Sequence, residues 1–166
     1  MSGAVYAPVG PWWTLDAPSL RLPTGDGERV SIWTVGAGPS LLLVARSGAD
    51  HRAWLPVLPH LQAEFTLHAV QRPRPGDPAT AVRDIALATE GLGVRWVVAD
   101  GDAGAAVVEV MGASRLPSVA VLHAADPDVG TAAGGALTVH RLGSPGDRPG
   151  DDPAALAGQL RELLAG

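Results

Sequence analysis

The stretch Trp96-Val97-Val98-Ala99-Asp100-Gly101-Asp102-Ala103-Gly104-Ala105-Ala106 holds the residue best placed to do chemistry. A short β-branched run ends in a Gly/Asp turn, and small residues then open a helical segment. A strand, a sharp turn and a helix in that order hold one side chain on a corner above the carboxyl edge of a sheet. Here that side chain is Asp102. A carboxylate at such a corner has three readings. It caps the helix that begins near Ala103, accepting backbone N–H bonds at the positive end of the helix dipole. It acts directly as a nucleophile or general base. Or it binds the cationic group of a ligand.

Other polar residues fall near the same edge. Arg46 follows the buried run Leu41-Leu42-Leu43-Val44 and faces the corner, where it pairs with Asp102, binds a ligand carboxylate, or stays a solvated loop arginine. His123, Asp126 and Asp128 follow the strand Ser118–Leu122, at the end where open α/β sheets place their ligands. Asp126 reads as a supporting acid or as ordinary Asp-Pro-Asp turn chemistry. His140 lies inside a predicted strand and reads as support for Asp102 or as a satisfied strand histidine. The candidate catalytic set is therefore Asp102, Asp126 and His140, and the candidate ligand-binding set is Arg46, Ser47, Ala103 and His123. His51 and Trp54 read as packing, and His60 and His68 have no motif around them. No His/Asp/Glu spacing suits a metal, and no glycine-rich phosphate loop is present, so neither metal nor cofactor is expected.

The elements that position these residues follow from hydrophobic period. Leu20-Arg21-Leu22 and Val30-Ser31-Ile32-Trp33-Thr34-Val35 alternate across Thr24-Gly25-Asp26-Gly27, a β-hairpin. Further strands are predicted over 41–44, 65–70, 95–99, 118–122 and 136–141, and helices over 50–62 (interrupted at Pro56 and Pro59), 79–91, 104–113 and from Asp152-Pro153 onward. Strands alternating with helices after an opening hairpin predict a three-layer α/β fold with a mostly parallel sheet. Residues 20–166 read as a single domain, preceded by an extended arm over 1–19 that carries Pro8, Pro11, Pro18 and the pair Trp12-Trp13. A net charge of −5 with no Lys/Arg cluster argues against nucleic acid. The absence of cysteine excludes thiol catalysis and disulfides. No signal peptide or bilayer-spanning run is read, so a soluble cytoplasmic protein without a membrane partner is expected.

Several segments, in order, resemble the α/β-hydrolase family from about Arg29 to Pro127. Gly38-Pro39-Ser40-Leu41-Leu42-Leu43-Val44 is similar to the strand that leads to the family's oxyanion loop, and Gly48-Ala49-Asp50-His51-Arg52-Ala53-Trp54 to the start of its first helix. Gln71-Arg72-Pro73-Arg74-Pro75-Gly76-Asp77 stands where the family carries a Gly-Asp-ending loop, and the corner follows at the family's distance. The resemblance implies a truncated α/β-hydrolase-like chain, without the lid and short by one strand–helix unit. It also marks departures. The family's nucleophile elbow, G-x-S-x-G, reads Asp100-Gly101-Asp102-Ala103-Gly104; its His-Gly is replaced by Ala45-Arg46, so that the resemblance leaves the backbone N–H of Ser47 to meet an oxyanion; the loop Gly143-Ser144-Pro145-Gly146-Asp147 lacks the late histidine. An aspartate at the elbow resembles haloalkane dehalogenases and epoxide hydrolases, which form an ester on that carboxylate and release it with histidine-activated water.

Two functions follow as expectations, with enzymatic activity left open. One is a catalytically degenerate protein that binds a small, partly apolar organic molecule, or a partner, at the carboxyl end of the sheet. The other is recast chemistry (epoxide opening, cyclisation, isomerisation or hydrolysis) with Asp102 as base or nucleophile and Arg46 as an electrostatic clamp. A third reading is a structural subunit that makes homo- or hetero-oligomers through the Trp12-Trp13 arm or the open pocket mouth.

Overall fold

The computed structural model describes residues 18–72, 77–129 and 135–165; the arm with Trp12 and Trp13 lies outside them. Seven strands form one sheet in the order β1-β2-β4-β3-β5-β6-β7. The hairpin strands β1 (Leu20–Pro23) and β2 (Arg29–Gly36) are antiparallel, and β2 also runs antiparallel to β4 (Thr66–Gln71). The remaining pairings, among β3 (Ser40–Val44), β4, β5 (Trp96–Asp100), β6 (Ser118–His123) and β7 (Leu137–Leu142), are parallel. The mostly parallel sheet with an N-terminal antiparallel hairpin is therefore as the alternation of sequence predicts.

Helices cover both faces. On one face α2 (Pro78–Leu92) and α3 (Ala103–Gly112) bury Ile85, Ala88, Ala106 and Val107 against Leu42, Val44, Val97 and Leu122. On the other, the short α1 (Leu58–Leu61) and α4 (Pro153–Leu164) bury Leu58, Leu61, Leu156 and Leu160 against Leu41, Leu43, Val98 and Val121. Leu42, Leu43, Val97 and Val98 are all fully buried, which is why their segments read as continuous apolar runs. Among the described residues no helix is long and apolar enough to cross a membrane.

Local rules set the helix boundaries. Asp77 caps α2, its Oδ1 accepting from Ala79 N at 3.0 Å, and Gly93 closes it in the left-handed conformation at φ +65°. Asp152 caps α4 through Ala155 N at 3.1 Å. The segment read as one interrupted helix over 50–62 is instead a 3-10 turn (His51–Trp54) followed by the single turn α1. Pro56 and Pro59 lack the N–H that a continuous helix needs, and Pro59 is tolerated only because it stands in the first turn of α1.

One systematic shift bears on function. Strands β4, β5 and β7 begin and end one residue later than alternation predicts, and β6 runs one residue longer, to His123. Asp100 and His123 are thus the last residues of neighbouring strands and register partners, not members of turns.

Candidate functional site

The sheet has a switch point between β3 and β5. From β3 the chain passes through α1, on one face, to β4; from β5 it passes to α3, on the other. Loops leaving two adjacent parallel strands in opposite directions open a crevice at their carboxyl ends, where α/β folds bind ligands. Arg46 and Ser47 leave β3 there, and Gly101 and Asp102 leave β5. The corner at Gly101 has φ +56°, and its N–H donates to His123 O at 2.9 Å. A glycine takes that left-handed geometry without strain.

Asp102 occupies the N-cap position of α3, but its side chain makes no capping bond. Its φ of −70° and ψ of −12° are helical, not extended, and its Oδ1 accepts instead from Ser47 N at 2.8 Å. The capping expectation is corrected accordingly: Asp102 ties the β3 loop to the corner. The Ser47 N–H, expected to be open to an oxyanion, is taken by that carboxylate. The exposed Asp102 also lines a cleft of about 200 Å3 together with Ser47, Arg72, Ala81, Ala103 and Glu109.

Arg46 does not pair with Asp102. Its guanidinium forks onto Asp100, Nε to Oδ2 at 2.7 Å and Nη2 to Oδ1 at 2.8 Å, and Nη2 also donates to Asp147 O. The cause is the one-residue shift of β5. Alternation puts Val97 and Ala99 on the α2/α3 face and Val98 on the other, so Asp100 follows Val98 and turns its carboxylate away from the Asp102 cleft. His123 completes the cluster, with Nδ1 2.9 Å from Asp100 Oδ1 and its side chain only 7% exposed. Burial pushes the Asp100 carboxyl up, but the hydrogen bonds from Arg46 and His123 outweigh it and hold the group below the usual carboxylate range. The Arg46 guanidinium is raised in turn, chiefly by its hydrogen bonds to Asp100. Arg46 and His123, expected to be ligand-binding, thus belong first to a buried ion-pair cluster.

The remaining candidates are dispersed. Asp126 accepts from Asp128 N at 3.0 Å, the local turn that its sequence also allows. His140 sits on β7 opposite Val121, at the far side of the sheet from the cleft. Ala103 is buried at the start of α3 and lines the cleft beside Asp102. Two residues were not singled out by spacing. Asp100 was hidden in the turn, although an acid closing an apolar strand run is itself a signal of a buried partner. Arg72 follows β4 and is 9% exposed. Elsewhere, His51 stacks on Trp33 with centroids 3.6 Å apart, and His68 lies between Thr34 and Ser40.

No protein-family model matches the chain, and no curated protein matches its sequence. Solved structures do. An α/β hydrolase from Sphaerobacter thermophilus superposes with a TM-score of 0.55 at 20% identity, over 64% of this chain and 45% of that one. An α/β-hydrolase-fold protein from Burkholderia ambifaria gives 0.56 at 17% identity, over 66% and 44%. An epoxide hydrolase from an endophytic Streptomyces gives 0.52 at 19% identity, over 63% and 36%. The chain has the α/β-hydrolase fold, and it spans less than half the length of each of these neighbours.

Proposed function

We propose that this chain is a small-molecule-binding protein on the α/β-hydrolase fold, catalytically degenerate with respect to acyl transfer. Its cleft receives a small, partly apolar molecule that carries a cationic group. The observation that carries the reading is the setting of Asp102. Its carboxylate is held by the Ser47 N–H, is not consumed in a helix cap, and faces a cleft walled by Ala81, Val82, Ala103 and Ala106. Among the described residues of the lining, Asp102, Asp77 and Glu109 outnumber the guanidinium of Arg72, which favours a cation. At about 200 Å3 the cleft lies below the roughly 300–1,000 Å3 usual for drug-sized ligands, so the molecule is small. Turnover through an ester on Asp102 needs a base to activate water. His123 is engaged with Asp100 on the opposite face, and His140 is on the edge strand.

A second reading has its own support. A carboxylate oriented by a main-chain N–H resembles a nucleophile prepared for attack, and several structural neighbours are described as epoxide hydrolases. In that reading Asp102 opens an epoxide by forming an ester on its free oxygen.

The two separate by experiment. Nuclear magnetic resonance titration with n-pentylamine is expected to shift the amides of Ser47, Ala103 and Ala106 saturably in the native protein and not in Asp102→Asn. Neither styrene oxide nor p-nitrophenyl acetate is expected to turn over. Turnover of either compound that disappears in Asp102→Asn would overturn the binding reading in favour of catalysis.

A further inference from the structure

Arg72 is nine-tenths buried and lines the same cleft, and its Nη1 is sealed from solvent without a hydrogen-bond acceptor. A buried guanidinium N–H left in that state retains its desolvation penalty with nothing to offset it. The contrast is Arg46, less deeply buried, whose fork is filled by Asp100. The cleft is not short of carboxylates, yet no hydrogen bond joins one to Arg72 among the described residues. Asp102 Oδ1 takes the Ser47 N–H, Asp77 Oδ1 takes the Ala79 N–H, and Glu109 is exposed on α3. These acids line the cleft with Arg72, and among the described residues none of them is hydrogen-bonded to it.

We infer that the ligand is a small zwitterion, and that its carboxylate becomes the partner Arg72 lacks once the guanidinium turns its unsatisfied Nη1 into the cleft. Its carboxylate lies against Arg72, its ammonium against Asp102, and a short apolar body against Ala81, Val82, Ala103 and Ala106. The inference rests on the reading that the cleft takes a cation at Asp102, and adds the second pole. A charge-assisted bond to Arg72 forms where water does not compete, so the carboxylate should add substantially to affinity. Glu109 and Asp77, which also line the cleft, disfavour a ligand that carries a carboxylate alone.

A matched series of one chain length tests this: 5-aminopentanoate, n-pentylamine and pentanoate, each titrated into isotope-labelled protein and followed by the amides of Ser47 and Ala103. The native protein is expected to bind 5-aminopentanoate at least tenfold more tightly than n-pentylamine, and pentanoate most weakly. In Arg72→Met the ratio between the first two is expected to fall below twofold; in Arg72→Lys, which keeps the charge but not the fork, it should lie between. Equal affinity of the native protein for n-pentylamine and 5-aminopentanoate overturns the zwitterion while leaving the cation site standing. Loss of both to background overturns the two together. The comparison within the native protein decides the matter even if Arg72→Met fails to fold.

Discussion

Arg46 and Asp100, 54 positions apart in sequence, close a two-point fork, Nε to Oδ2 at 2.7 Å and Nη2 to Oδ1 at 2.8 Å. The Asp100 side chain is 1% exposed, so this pair fixes how the β3 and β5 loops leave the sheet. A carboxylate at that depth depends on its partner. Arg46→Met leaves the charge with His123 alone, and the protein should lose about 3 kcal/mol of stability to urea at neutral pH. Adding Asp100→Leu should recover at least half of it, because the uncompensated charge goes too. The folded-state pKa of Asp100 is depressed, so its contribution is present above about pH 4 and is lost as pH falls through the folded value. The acid-unfolding midpoint should therefore move to higher pH in Arg46→Met. An unchanged acid limb would mean the fork does not govern Asp100.

His68 gives a slope at milder pH. It is buried on β4 between Thr34 Oγ1 (2.8 Å from Nδ1) and Ser40 Oγ (3.1 Å from Nε2), and burial lowers its pKa to about 4. The unfolded chain takes up this proton near pH 6.5 and the folded chain only near 4. Between those values the unfolded state binds more protons, so stability falls as pH drops from 6.5 towards 4, by about 2–3 kcal/mol. His51 is lowered in the same direction, mainly by burial, and adds to the slope. Urea unfolding of the native protein and His68→Gln at pH 7 and pH 5 checks this: the variant should lose most of the difference between the two pH values.

How much of this was legible in the sequence depends on the distance over which each feature is decided. The hairpin, the alternation of strands with helices, the caps at Asp77 and Asp152 and the strand-to-helix corner at Gly101-Asp102 are set by residues within a few positions of one another. The site depends on which face a strand's last residue takes, and that is a matter of register. Ending β5 at Ala99 makes Asp100 a turn residue and Asp102 the natural partner of Arg46; ending it at Asp100 reverses both. The unpartnered nitrogen of Arg72 is a tertiary fact with no local mark. The capping expectation for Asp102 failed for a related reason: Ser47 N, from a segment 55 residues away, competes for the carboxylate.

Gly101 is the hinge of the same arrangement. A Cβ built on it would lie 3.0 Å from Arg46 Cβ and 3.2 Å from Arg46 Nε, and its φ of +56° is left-handed. Gly101→Ala should cost about 1–2 kcal/mol for the backbone alone, and more for displacing Arg46 from its fork. Because both effects pass through Arg46, the double variant Gly101→Ala/Arg46→Met should be less destabilised than the sum of the singles. Urea denaturation of the four proteins forms the cycle, and strict additivity would mean the glycine acts through its backbone only.

Asp102 separates a structural role from a binding role by the choice of substitute. Asn keeps an oxygen that can accept from Ser47 N but removes the charge, whereas Ala removes both. Asp102→Asn should stay within about 0.5 kcal/mol of the native protein, and Asp102→Ala should lose about 1 kcal/mol, the net worth of one hydrogen bond. As a reference, Asp152→Ala, which deletes a cap that does form, should cost about 1 kcal/mol. Binding of n-pentylamine should be lost in both Asp102 variants alike. Were Asp102→Asn to bind it as the native protein does, the carboxylate would be serving only to tether the β3 loop, and the cleft's charge would have to come from Asp77 and Glu109.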